Sequence, residues 1–344
     1  MSSRPRTISV VIVTHGHADS IAATLAPLAE QLRDGDELIV VDNASADGTP
    51  EVVRSVASTA RVIESGGNLG FSAGCNLGAA EASGELLVLL NPDAIPAQGW
   101  RDAIEAPLSD GSGWSAWQAL VTADGGRVIN TRGGVLHFTG IAWAGGAGEP
   151  AEGSVAAPDP GFLSGACLAL RRADFERLGR LPEEFFLYHE DVDLSLRVRL
   201  AGGALGVAAV ARVDHDYEFD KGNAKWRYLE RNRWATLIRT YPLVLLALLL
   251  PALLATELAL VVVSIAGGWF GQKLLAWGDT LRSMPRLFRE RRAVQRVRTI
   301  GAGEFARPLV AELSSPYLGA AGRSGLLAAL LGGYWRAVLW LLRA

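Results

Sequence analysis

Cysteine is nearly absent: Cys75 and Cys167 are the two copies in 344 residues. So few thiols exclude a disulfide framework, and their spacing excludes a cysteine zinc site, so a reducing compartment is expected. Two nucleotide-binding signatures are also missing, GxGxxG and GxxxxGK[ST], which argues against a Rossmann dehydrogenase or a P-loop enzyme. The opening MSSRPRTISVVIVTHGH holds an apolar run only as long as a buried strand, too short for an export sequence, so this part is expected to stay in the cytosol. A strong net charge is lacking as well, the formal total being −3. That near-balance hides a division. Residues 1–220 carry 15 Lys/Arg against 30 Asp/Glu, and 221–344 carry 18 against 6, so the first part stands at −15 and the second at +12. An acidic body of this kind repels a polyanion, which makes nucleic acid a poor partner. What is present in quantity is apolar surface: 49% hydrophobic residues, with 10 Trp and 10 Phe, enough for a core and incompatible with disorder over most of the length.

From Ile8 the chain alternates short β-branched runs with helical patterns. ISVVIVT (8–14) precedes a helix over about 18–32, ELIVVD (37–42) a helix after Asp47, RVIES (61–65) a helix over 72–82, and ELLVLL (85–90) follows. This rhythm predicts βαβ units and a parallel sheet, with ligands at the carboxyl ends of the strands. Residues 110–160, rich in Gly, Ala and Ser, show no clear period. A buried strand then reads GFLSGACLALRR (161–172), and a helix runs from Glu190 to the paired Gly202 and Gly203. Residues 243–266 are apolar apart from Glu257, long enough to span a bilayer, for which about 20 residues suffice. Basic residues stand on both sides, including Arg289, Arg291, Arg292, Arg296 and Arg298. A single crossing would leave one basic flank outside, and Pro251 permits a bent, re-entrant hairpin instead, so a peripheral, a re-entrant and a membrane-anchored placement all stay open. The last twenty residues read as an interfacial helix.

Five segments carry possible chemistry. VDNASADGT places Asp42 and Asn43 at a strand end, where a carboxylate can meet a ribose or base edge or simply begin a turn. NLGFSAGCN, with Asn68 and Gly70, brings glycines to a helix start that favours an anion. In LLNPDA, Asp93 projects past a buried strand, a position suited to Mg²⁺ or Mn²⁺ bound together with substrate phosphates. Glu190, Asp191 and Asp193 open a helix, as dipole-stabilised acids or as a general base towards a hydroxyl. His215 at another strand end is a candidate second metal ligand. It is followed by Lys221, Lys225, Arg227, Arg231 and Arg233, a basic helix whose forks match diphosphate oxygens.

In this order the segments resemble a family 2 glycosyltransferase of the GT-A fold, near the bacterial rhamnosyltransferase-like branch, over roughly residues 8–240. The resemblance implies an α/β architecture with a mixed, mostly parallel, Rossmann-like sheet. It divides the chain into a catalytic domain at 1–240, with a nucleotide-sugar half to about 110 and an acceptor half after it, and a helical membrane-associating region at 241–344. It implies that Thr14, Asp42, Asn43, Asn68, Gly70 and Asp93 line the nucleotide-sugar site. Asp93 and His215 would hold Mg²⁺ or Mn²⁺, Asp191 or Glu190 would be the base, and Asp193, Arg231 and Arg233 would face the acceptor or diphosphate. Where many relatives read Asp-x-Asp, this chain reads Asn91-Pro92-Asp93, leaving one carboxylate for the metal. The implied reaction is inverting transfer from a nucleoside-diphosphate sugar to a polyprenyl-diphosphate-linked or glycan acceptor at the inner leaflet of the cell membrane, in cell-envelope polysaccharide synthesis. A sugar nucleotidyltransferase is a competing reading, although THGHADS lacks the Gly-rich basic loop expected after its first strand. A non-catalytic membrane-bound sugar-binding scaffold is another.

Overall fold

The computed structural model describes residues 6–153, 157, 159–216, 222–314 and 324–344. Strands and helices alternate first: β1 Ile8–Thr14, α1 Ile21–Ala29, β2 Glu37–Asp42, α2 Thr49–Val56, β3 Arg61–Glu64, α3 Gly70–Ala80, β4 Leu86–Leu90, β5 Ile95–Pro96 and α4 Trp100–Glu105. The acceptor-side elements follow: β6 Trp114–Ala123, β7 Val128–Thr131, β8 Gly134–Leu136, β9 Ala142–Ala144, β10 Cys167–Arg171, α5 Arg172–Arg177, α6 Glu190–Leu200 and β11 Ala204–Asp214. The chain then turns helical, with α7 Ala224–Thr240, α8 Leu243–Ala266, α9 Phe270–Arg296, α10 Ala302–Ala306 and α11 Gly325–Leu342.

One mixed sheet organises the fold, in the order β3-β2-β1-β4-β10-β6-β11-β5 with β7 beside β6. β3, β2, β1 and β4 run parallel, as their crossover helices require. β10 enters antiparallel between β4 and β6, and β11 runs parallel to β6. β1 and β4 are buried on both faces, which is why they read as unbroken apolar runs rather than alternating ones. One core lies between the sheet and α1, α2 and α4, and another beneath α3, α5 and α6. The segment without a readable period contains β6 to β9. Its glycines disguise strand pairs: Gly134 has no room for a side chain, because a Cβ there would lie 2.3 Å from the Phe162 ring.

A third core joins Leu136, Phe138, Leu196 and Leu237 to Leu245, Leu249, Leu253, Trp335 and Val338. The expected boundary at 240 therefore passes through shared packing, and α9 lies along α7 with the buried Leu287 against Ala235 and Phe185. The bend permitted at Pro251 does not form: α8 continues through it as one helix, with the proline on the exposed face, and the chain reverses instead at Gly267 and Gly268, where Gly268 has φ +71°. Two of the described helices, Leu243–Ala266 and Gly325–Leu342, are long and apolar enough to cross a membrane.

Candidate active site

The loops after β1 and β2 are stitched together at the carboxyl edge of the sheet. Thr14 Oγ1 donates to Asp42 Oδ1 (3.1 Å), and the Ser45 amide donates to Asp42 Oδ2 (3.0 Å). The amides of Gly16, His17 and Ala18 donate to Ser45 Oγ, Thr49 Oγ1 and Asp47 Oδ2. Thr14 and Asp42 are thus both buried, and they shape the rim from within it. Asn43 extends the same stitching towards α3, its Nδ2 donating to the Gly70 carbonyl (2.9 Å) while Asn68 Oδ1 accepts from the Gly70 amide (3.0 Å). Gly70 holds φ +78°, and a Cβ there would lie 2.5 Å from the Phe186 ring, so glycine is required by both backbone and space.

β4 ends in the Asn91-Pro92-Asp93 turn, and β11 brings His215 beside it. His215 Nε2 lies 3.1 Å from Asp93 Oδ1 and 3.4 Å from Asn91 Nδ2. The His215 backbone is fixed from both sides, its amide donating to the Thr122 carbonyl and its carbonyl accepting from Asn130 Nδ2, each at 2.8 Å. Burial raises the Asp93 pKa, but the hydrogen bond and charge of His215, with a smaller pull from His17, outweigh it and hold the carboxyl below its ordinary value.

The acids of α6 reach the same edge through one short segment. The Asn91 amide donates to the Ala166 carbonyl (3.0 Å), and the Gly165 amide, one residue earlier, donates to Asp191 Oδ2 (3.1 Å). Residues 165–166 therefore have the Asp93 turn on one side and the start of α6 on the other. Asp191 Oδ1 also accepts from the Val192 amide (2.7 Å). Burial nevertheless drives the Asp191 carboxyl up to about 6, the two amides pulling against it. Glu190 is pushed well above its usual range, by burial first and by the neighbouring Asp191 charge second. An ionised Asp191 thus disfavours ionisation of Glu190.

Other predicted residues are placed elsewhere. Asp193 points away from any acceptor: it is fully buried, bonded to Arg197 Nε at 2.6 Å and ion-paired with Arg239 Nε at 3.4 Å. Arg233 is corrected in the same way. It is buried and paired with Glu230 and Glu257, because a guanidinium taken from water needs carboxylates around it. Arg227 pairs with Asp279 (2.6 Å), Lys225 is buried, and Lys221 lies outside the described residues. Arg231 donates to the carbonyls of Glu184 and Phe185, both at 2.8 Å, and stacks over Tyr228. Arg227 and Arg233 are therefore paired with acids of their own protein and Arg231 with backbone carbonyls, which charge counting along a sequence does not reveal.

The sequence gives no role to His17, Asn130, Gly165 or Asn232. The histidine pair in Thr-His-Gly-His after β1 was a readable signal for the first. The others act through backbone partners that only the fold discloses. Among the described residues no group of three or more His, Cys, Asp and Glu is gathered to hold a metal ion. A cavity of about 660 Å³ lies among Arg132, Trp143, Glu149, Asp159, Pro308 and Val310, and none of the predicted site residues lines it. The carboxylates that line it are ion-paired, Glu149 with Arg132 and Asp159 with Arg199.

The family described as Glycosyl transferase family 2 matches residues 9–179. The chain is 28% identical over 262 residues to the N-acetylglucosaminyl-diphospho-decaprenol L-rhamnosyltransferase of Mycobacterium tuberculosis, covering 67% of this chain and 83% of that one. Two solved structures share its fold. The mannosyltransferase of Pyrobaculum calidifontis, in complex with GDP-Man and Mn²⁺, has a TM-score of 0.51 at 20% identity and covers 86% of this chain and 85% of its own. The S. aureus TarS 1-349 in complex with UDP has a TM-score of 0.52 at 17% identity and covers 98% and 91%.

Proposed function

The chain belongs to glycosyl transferase family 2, a GT-A enzyme drawing on a nucleotide sugar, and from that premise we propose that it moves rhamnose or a hexose onto a hydroxyl of a lipid-linked or polysaccharide acceptor. The reaction inverts the anomeric centre and takes place at the cytoplasmic face of the cell membrane, in cell-envelope glycan synthesis. The observation that carries this reading is the segment 165–166, bonded to Asn91 on one side and to Asp191 on the other, so that a diphosphate-side acid and a raised-pKa acid flank one space.

Asp191 accepts the acceptor's proton as the hydroxyl oxygen attacks the anomeric carbon, and the bond to the diphosphate breaks with its electron pair leaving on phosphate oxygen. The backbone amide of Gly165 keeps the carboxylate aimed. Asp93 and His215 fit Mg²⁺ or Mn²⁺: an oxygen and a nitrogen donor converge at 3.1 Å, and such an ion draws its remaining ligands from water and diphosphate. When bound, the cation neutralises charge on the leaving diphosphate. The buried Thr14, Asp42 and Asn43 hold the rim on which the nucleotide rests, and Gly70 leaves room for Phe186 against α3.

The test uses the full chain with dTDP-rhamnose and UDP-hexoses, lipid-linked acceptors, and Mg²⁺ or Mn²⁺. Asp93→Ala and Asp191→Ala should each lower kcat/KM by roughly 10²-fold or more, in keeping with loss of a charge stabiliser or a general base. Unchanged turnover in both variants would sink the site, and absence of transfer with every donor would leave the scaffold reading in its place.

A further inference from the structure

Helix α8 presents two faces of unlike chemistry. Inward, Leu245, Leu249 and Leu253 are buried in the third core. One turn later Glu257 is enclosed by Arg233, by Lys273 Nζ at 3.0 Å, and by the indole N–H groups of Trp234 and Trp277, each at 2.9 Å. Outward, Leu243, Leu250, Leu254, Leu258 and Val262 form one stripe at helical spacing, each more than half exposed. At the N-terminal end of that stripe, Leu243 closes a groove of about 510 Å³ with Phe288, Arg291, Arg292, Gln295 and Arg298. Arg291 is occupied, donating to the carbonyls of Ile238 (2.6 Å) and Tyr241 (2.7 Å) at the end of α7. Arg292 and Arg298 are exposed, and no acid lines the groove. Arg289 and Arg296 are exposed on the same helix.

We infer that the outward face of α8 and this arginine groove form one docking surface for an anionic lipid bilayer, with α8 lying in the plane of the interface and a lipid phosphate in the groove. A helix crossing a bilayer must offer lipid its whole circumference or pack on other spanning helices. Here the inner face of a helix about 36 Å long packs on the sheet domain and on α11, and its one acid is locked by two cations, Arg233 of α7 and Lys273 of α9. What remains is an apolar stripe with unpaired arginines at one end, the pattern of a helix lying in an interface beside anionic headgroups. A protein partner would need a long apolar face ending in acids; a bilayer containing anionic lipid supplies both features at once. The inference rests on the proposed membrane location of the acceptor, but not on the chemistry of transfer.

The full chain, without detergent, is floated with vesicles of phosphatidylcholine alone or mixed with phosphatidylglycerol. The mixed vesicles should capture it roughly 25-fold more strongly, and Arg292→Glu with Arg298→Glu should remove that preference, since each surface arginine contributes roughly fivefold. Inorganic phosphate at matched ionic strength should not compete, which separates a lipid headgroup from free phosphate. Because Cys75 and Cys167 are buried, Leu243→Cys, Leu254→Cys and Val262→Cys can each be labelled selectively and probed with quenchers at graded depth. Equal depth at the three positions is expected. A deep middle with shallow ends means spanning, and overturns the in-plane placement. Equal capture by both vesicles, or a stable dimer that ignores vesicles, overturns the docking surface. Transfer to a soluble acceptor analogue, measured alongside, separates the two readings: retained transfer with no capture sinks this inference alone, and capture without transfer sinks the enzymatic one alone.

Discussion

At the residue scale the site turns on how burial and neighbours set charge. Asp93 and Asp191 are both carboxylates at one sheet edge, yet His215 holds the first below its ordinary pKa while burial drives the second to about 6. A base must be ionised to accept a proton. Activity therefore falls as pH drops through about 6, with kcat/KM losing about tenfold for each further unit, and an acid limb near 4 instead would remove Asp191 from that role. The motif acids were legible in the sequence because strand ends and helix starts announce themselves through apolar runs and Pro-Asp turns. The orientation of Asp193 was not, because the carboxylates at 190, 191 and 193 differ only in which way the helix turns them. Glu190 and Asp193 are both buried, but Asp193 has Arg197 and Arg239 as partners, and those pairs depend on packing between helices far apart in the chain.

At the scale of elements, the loop leading into α6 is the feature with least precedent in the sequence pattern. Phe186, Tyr188 and His189 adopt φ of 63°, 71° and 67°, a region that side chains avoid and that persists only where the surroundings enforce it. The enforcement comes from one buried amide. Asn232 Nδ2 donates to the carbonyls of Phe185 (3.0 Å), Leu187 (2.9 Å) and Tyr188 (2.7 Å), while its Oδ1 accepts from Arg231 Nε. The same loop reaches α3, since the Phe186 carbonyl accepts from the Phe71 amide at 2.7 Å. Asn232→Ala takes this donor from the Leu187 and Tyr188 carbonyls, leaving the Phe185 carbonyl to Arg231, and should cost about 1–3 kcal/mol of stability. As a positioning change it should lower kcat more than it raises the donor KM, and an unaltered kcat in folded protein would assign Asn232 to stability alone. Strand and helix types in the first ninety residues followed from apolar period. β6 to β9 did not, because glycines there serve close approaches such as Gly134 to Phe162 and leave no alternation to read.

At the scale of the whole molecule, the charge division of −15 and +12 is not a division of structure. Arg239 from the basic part pairs with the buried Asp193 of the acidic part (3.4 Å), and Tyr241, Leu245 and Phe305 share a core with Phe138. Removing 242–344 would take Glu257 from Arg233 and Lys273 from Glu230 and expose that core, so the full chain is the unit on which function must be measured. Consecutive residues of α7 face two ways: Arg231 and Asn232 hold the loop before α6, and Arg233 holds Glu257 of α8. That single helical turn gives the enzyme a fixed stand-off. If α8 rests on lipid, the height of the accepting space above the headgroups is set by protein rather than by a tether, and the molecule works as a ruler. Lipid-linked acceptors differing only in the number of sugars before the accepting hydroxyl should then show one optimum length, whereas rates independent of that number would mean the site swings freely above the surface.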